Sequence, residues 1–218
     1  MLDICFTTSI ELGLSFNCLK SHCICFGSQF KYKLSYMCIG DEKIEWSKSI
    51  TYLGIRVCGG KTLTSDIAPV KQAFFSACNC IYASAKHNDE IVHLSLQETY
   101  CKPVLTYGMT ALSLTSEQAR SLNCCWNSVY RKIFGFNKWD SVSSLIYGLG
   151  RLNLHHDLLL LRVKFYKHLL ETNSTVMTIV LREYCLAFCM DIALRLSQLS
   201  YSVAKSYIYR AFKRKIDL

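Results

Sequence analysis

Proline is nearly missing: only Pro69 and Pro103 occur in 218 residues, alongside 10 glycines. So few breakers exclude a Pro-rich linker or a low-complexity chain and favour long, uninterrupted elements. A long apolar run free of charge is missing too. The most apolar late stretch, VMTIVLREYCLAFCMDIAL, carries Arg182, Glu183 and Asp191. Three charges near the middle of a span are costly in hydrocarbon, so no membrane partner is expected. The opening MLDICFTTSIEL puts an acid where a secretory signal needs a basic segment, and it offers no small-residue cleavage site. The expected setting is intracellular, cytoplasmic or nuclear, and not secreted.

Several chemical signatures are also missing. There is no GxSxG elbow, no HExxH and no adjacent pair of aspartates. CGGK is too short for a phosphate loop, and GLGR lacks both the preceding strand and a third glycine. His155 and His156 have no partner spacing for a metal, and Asp157 beside them cannot face them from the same helix.

What is present points to a folded chain. Hydrophobic residues make up 51%, and the length allows one large or two small domains. Thirteen cysteines are an odd count in a chain too long for a disulfide scaffold, so free, mostly buried thiols are expected. The conspicuous group is SFNCLKSHCICFG, in which Cys18, His22, Cys23 and Cys25 follow the spacing C-x3-H-C-x-C. Structural zinc needs two ligand pairs that each turn back on one ion, and no second pair exists. In an extended chain His22 and Cys23 point to opposite faces, leaving Cys23 and Cys25 on one side and Ile24 and Phe26 on the other. Strand cysteines are therefore expected, with no metal ligand. Cys124–Cys125 and Cys185-x3-Cys189 read as helix-core positions.

The formal net charge is +9, from 25 Lys and Arg against 16 Asp and Glu. Residues 1–63 hold 7 basic and 5 acidic residues, 64–140 hold 7 and 6, and 141–218 hold 11 and 5, so the excess lies in the last third. Such an excess suits a phosphate backbone or an anionic membrane surface and, equally, a solvated helical face.

The texture changes along the chain. Residues 1–63 give a helix over 1–13 and short β-type runs at HCICFG, KLSYMCIG, KIEW and TYLGIRV, a small antiparallel sheet. From Thr64 the period becomes helical: Ile67, Val70, Phe74, Ala77, Cys78, Ile81 and Ala85 form one stripe, with Pro69 in its first turn. The sequence TSEQ has capping-box spacing at Thr115 and Gln118. It announces a helix that buries Ala119, Leu122, Trp126, Val129, Tyr130 and Ile133 and ends at Gly135. Between these, one helix should run up to Pro103 and a short one follow it. A short helix, a Gly-rich turn and a long helix fill 140–170, and residues 175–213 make two more. The layout is α+β: 1–63 as a small sheet with a helix, 64–173 as an all-helical bundle, 174–218 as a basic helical tail.

Two blocks in order carry a family signal. At ELGLSFNCLKSHCICFG and IEWSKSITYLGIRV the sequence resembles reverse transcriptases of non-LTR (LINE-type) retrotransposons. Leu14, Phe16, Asn17, Lys20 and Ser21 match the palm segment that follows the Tyr-Ala-Asp-Asp strand in those enzymes, and Tyr52, Leu53 and Gly54 match the later hairpin. CKPVLTYGMTAL, CWNSVYRKIFGF and IYGLGRLNL look like the helical region after the polymerase domain, so the resemblance covers about residues 1–170.

The resemblance implies the end of a palm followed by a thumb-like bundle. It implies Lys20 as a proton donor to pyrophosphate in the intact enzyme, and Tyr52–Gly54 near the primer end. Arg131, Lys132, Lys138, Arg162, Lys164 and Lys167 would track template–primer phosphates. Tyr130, Trp139, Phe165 and Tyr166 would then stack on nucleotides, although helical spacing makes such aromatics core residues more often. The implied partner is RNA or an RNA–DNA hybrid. The intact enzymes hold Mg²⁺ on palm aspartates that this sequence lacks. The chain by itself is therefore expected to have no catalytic residue, no metal and no cofactor, and to retain weak nucleic-acid binding. The rival expectation is a non-catalytic helical interaction module that self-associates through an exposed sheet edge.

Overall fold

The computed structural model describes residues 2–31, 34–112, 114–172 and 199–214. Their contacts divide into two units, Met1–Pro69 and Val70–Leu218. The expected α+β class is observed.

In the first unit, α1 (Leu2–Glu11) precedes two three-stranded sheets. One sheet has the order β1 (His22–Cys23), β3 (Glu42–Trp46), β2 (Met37–Ile39). The other runs β4 (Ser49–Tyr52), β5 (Ile55–Cys58), β6 (Thr64–Asp66). Three of the four strand pairs are antiparallel, as expected, but β1 runs parallel to β3. Thr64–Asp66 is a strand, and the following helix begins only at Ala68. The strand expected over HCICF stops at Cys23; Phe26 makes a single parallel bridge with Gly60.

α1 reaches the first sheet through one close approach. The turn between β2 and β3 contains Gly40 at φ +60°, and a Cβ there would lie 2.6 Å from the Phe6 ring. Any side chain there would displace the ring and strain a left-handed backbone that favours glycine. Burial in this unit is sparse: among its described residues only Ser9, Ile39 and Ile44 are buried.

The second unit is built differently. α2 (Ala68–Ser84) buries Phe74 and Cys78 on the expected stripe, and Ala85 lies just beyond its end. α5 (Ser116–Ile133) begins with the full capping box: Gln118 N–H donates to Thr115 Oγ1 at 3.2 Å, and Thr115 N–H to Gln118 Oε1 at 2.9 Å. It buries Leu122, Cys125, Trp126, Val129 and Tyr130. Cys124, expected in the core with Cys125, is exposed. The two helices meet through aromatic rings, Phe74 against Trp126 at 6.2 Å and Trp126 edge-on to Tyr130 at 5.8 Å.

Pro103 does not separate two helices. α3 (Glu90–Leu96) runs into a π-helical turn (Gln97–Cys101) and then α4 (Lys102–Thr106). The Lys102 N–H bonds Gln97 O, five residues back. Proline has no N–H to offer the fourth carbonyl before it and crowds that carbonyl, and a wider turn relieves the clash. Gln97, fully buried, donates from Nε2 to Cys78 O at 3.3 Å and so ties the turn to α2. α6 (Ser143–Gly148), α7 (Leu154–Glu171) and α8 (Tyr201–Arg214) are the remaining helices among the described residues, with α8 burying Ala204, Ile208 and Phe212. Of the two helices expected over 175–213, this is the one within the described residues. Cys185, Cys189 and the apolar stretch around them lie outside the described residues.

The capping box should be the most sensitive surface feature of the second unit. Thr115→Ala is expected to lower its stability by about 1 kcal/mol. Phe74→Ala, which empties the aromatic contact, should cost about 3–5 kcal/mol. Denaturant unfolding followed by the buried Trp126 signal checks both.

Candidate nucleic-acid interface

The residues singled out by sequence fall into three places. In the first unit, Asn17 organises a turn that leads into β1: its Oδ1 accepts from Lys20 N–H at 3.1 Å, and its carbonyl accepts from Ser21 Oγ at 2.9 Å. Lys20 itself is exposed at the end of this turn. Tyr52, Leu53 and Gly54 sit at the tip of the β4–β5 hairpin, where Tyr52 pairs with Ile55. Both turn residues are left-handed, Leu53 at φ +48° and Gly54 at φ +76°. Two-residue hairpins favour this geometry, but a leucine pays a steric cost in it that asparagine or glycine does not. Tyr52 and Leu53 are 67% and 70% exposed at this strained tip.

The second place is the end of α5 and the loop after it. Arg131 is half-buried and donates from Nε to Asp140 O at 2.9 Å. The Lys132 ammonium lies 3.6 Å from the centre of the Tyr82 ring and 3.5 Å from Asn79 Oδ1, both on α2. These two cations therefore serve the packing of the unit as well as its charge. Lys138 is exposed, 4.8 Å from the Trp139 ring centre.

The third place is α7. Arg162 donates to Leu112 O at 2.9 Å, Lys164 lies 4.9 Å from the Tyr201 ring on α8, and Lys167 is 4.0 Å from Glu171. Of the aromatics, Tyr130 is wholly buried, Phe165 and Tyr166 are half-buried, and Trp139 is exposed. Tyr130 is thus a core residue. Burial pushes its hydroxyl pKa well up, helped by the nearby charges of Glu98 and Asp157.

A polar cluster that sequence reasoning did not assemble joins the π-helical turn to α7. Arg151 Nε donates to both carboxylate oxygens of Glu98, at 2.9 and 3.0 Å. Lys102 Nζ pairs closely with Asp157, and its ammonium lies 5.4 Å from the Trp126 ring centre. Burial raises the Asp157 carboxyl pKa, and Lys102 pulls it back. Each carboxylate already has its cation, so the cluster ties helices together and offers no unengaged acid or base pair. The partners stand 53 and 55 residues apart, a separation at which sequence gives no local signal.

His156 is buried against Phe212, with Nδ1 2.6 Å from Asn153 Oδ1, and His155 is exposed. Among the described residues no group of three His, Cys, Asp or Glu side chains is arranged to hold a metal ion. Cys18, Cys23 and Cys25 are half-buried free thiols, and Cys25 lines an open concavity of about 700 Å³ with Phe30, Leu34, Trp46 and Lys48. No described helix is long and apolar enough to cross a membrane.

The buried thiols of Cys78, Cys101 and Cys125 set a pH limit. Burial pushes all three above their ordinary value of 9.0. The folded chain then keeps protons that the unfolded chain releases. Their contribution is complete below pH 9 and declines as pH rises from that value toward the folded ones. Each thiol steepens the loss by up to about 1.4 kcal/mol per pH unit. Denaturant unfolding at a series of alkaline pH values should show a shallower decline in Cys125→Ala than in the parent chain.

No family model, no curated protein and no solved structure matches the chain.

Proposed function

We propose that the chain is part of a non-LTR retrotransposon reverse transcriptase, the end of a palm followed by a thumb-like helical region, which binds nucleic acid and does not polymerise by itself. The strained hairpin tip supports this reading most directly. Leu53 holds a left-handed conformation at a point where it is 70% exposed, and such strain is concentrated where a protein makes functional contacts. Tyr52–Gly54 is also the block that, by its resemblance to the family, would lie near a primer end. The Asn17-centred turn, with Lys20 exposed, supports the reading in the same way. No Tyr-Ala-Asp-Asp strand occurs in these 218 residues, so the Mg²⁺ chemistry of the family has no ligands here.

A short RNA–DNA hybrid is the ligand to test. Affinity should be weak and fall steeply with salt, because each neutralised phosphate contributes a slope of roughly −0.9 in log K against log salt. Replacing Lys164 and Lys167 by alanine should flatten that slope by about one to two. A filter-binding titration at several salt concentrations decides it; no retention at low salt sinks the binding claim.

A second reading has its own observation. The first unit leaves Ile10, Leu12, Leu14 and Leu19 at 60%, 67%, 63% and 91% exposure. So much exposed apolar surface around so little core favours association. Size-exclusion chromatography with light scattering should show concentration-dependent self-association, and a clean monomer at about 100 µM would remove this reading.

A further inference from the structure

The loop that follows α5 is a built platform. Four hydrogen bonds hold its six residues, Gly135 to Asp140, and a fifth closes the end of the helix just before them. Phe134 N–H donates to Tyr130 O at 3.0 Å and Phe136 N–H to Arg131 O at 2.9 Å, closing the helix around Gly135. Asn137 N–H donates to the Asp140 carboxylate at 2.7 Å, and Asp140 N–H returns to Asn137 O at 3.1 Å. Arg131 Nε then fixes the Asp140 carbonyl at 2.9 Å. On this fixed turn Trp139 stands 85% exposed, with Phe136 40% exposed three residues before it. An aromatic side chain that buries little of itself, on a turn so fully tied down, contributes little to folding. The bonds at Phe136, Asn137 and Asp140 lower the backbone ordering cost that binding at this turn carries.

Charge identifies the ligand class. The Lys138 ammonium lies over the Trp139 ring at 4.8 Å, so a cation and a π face are presented together. Between positions 131 and 140 stand three cations, Arg131, Lys132 and Lys138, and one acid. That acid, Asp140, accepts the Asn137 N–H on one oxygen, and the stretch keeps a net positive charge. A flat aromatic group joined to an anion fits this pair: its ring stacks on Trp139 while the anion meets Lys138. An unpaired nucleotide has that form, and base–aromatic stacking does not depend on sequence.

We infer that the turn Gly135–Asp140 is a stacking site for an unpaired base of single-stranded nucleic acid, with Trp139 as the platform and Lys138 as the phosphate contact. The inference deepens the reading of the chain as a nucleic-acid-binding part, but it stands on this turn alone.

The test uses the full chain and a 12-nucleotide oligo(U). Titration should quench the tryptophan emission, and the quench should disappear in Trp139→Phe. Trp139→Ala, an exposed change that leaves the core intact, should weaken oligo(U) binding about fivefold or more. Lys138→Ala should reduce the salt slope by about 0.7. Unchanged oligo(U) affinity in Trp139→Ala overturns the inference. So does an emission change with phosphatidylserine–phosphatidylcholine vesicles and none with oligo(U), which would make the turn a membrane contact. RNA–DNA hybrid binding indifferent to Trp139, with no oligo(U) response, leaves the polymerase reading standing and removes this one. Trp139-dependent oligo(U) binding without hybrid binding does the reverse.

Discussion

The second unit is organised around the Trp126 indole. It lies wholly buried on α5, packs against Phe74 of α2 and Tyr130 one turn on, and has the Lys102 ammonium near its face. Lys102 in turn pairs with Asp157 near the start of α7. One ring therefore fixes where α2, α4 and α7 can sit around α5. An indole offers both a large apolar area and a face attractive to cations, which allows it to hold an apolar neighbour and a charged one together. The π-helical turn before α4 belongs to the same arrangement, since it sets the position from which Lys102 reaches that ring.

What was legible in the sequence was local. The capping box at Thr115 and Gln118 needs only three residues of spacing, and the stripe from Val70 to Ala85 only a period, and both are found as expected. The short helix, glycine turn and long helix over 143–171 follow from the same kind of signal. What was hidden depends on tertiary partners. Nothing near Glu98 announces Arg151, and nothing near Lys102 announces Asp157. Thr64–Asp66 becomes a strand because β5 offers it a partner, not because its residues alternate. The parallel register of β1 on β3 is likewise a property of the sheet.

Candidate binding residues show the same division. Basic residues at helical spacing look alike in sequence, but the fold uses them differently. Arg131 and Arg162 direct guanidinium N–H groups to backbone carbonyls, and Lys132 lies on an aromatic face. Formal charge survives in each case, but its geometry is set by a neighbour. Lys138 and Trp139 lie beyond the helix, in a turn whose form depends on a carboxylate and a backbone carbonyl three residues apart from their partners in the loop. Their joint presentation could not be read from composition.

The scarcity of core in the first unit has a kinetic consequence. Strand amides there are covered by little besides their ladder partners, so brief local openings suffice to expose them to solvent. Their hydrogens should exchange far faster than those of α5, whose release requires separating Phe74, Trp126 and Tyr130. Within one chain, amide exchange should therefore separate a slow helical body from a β-rich part whose own interior contributes little to keeping it closed.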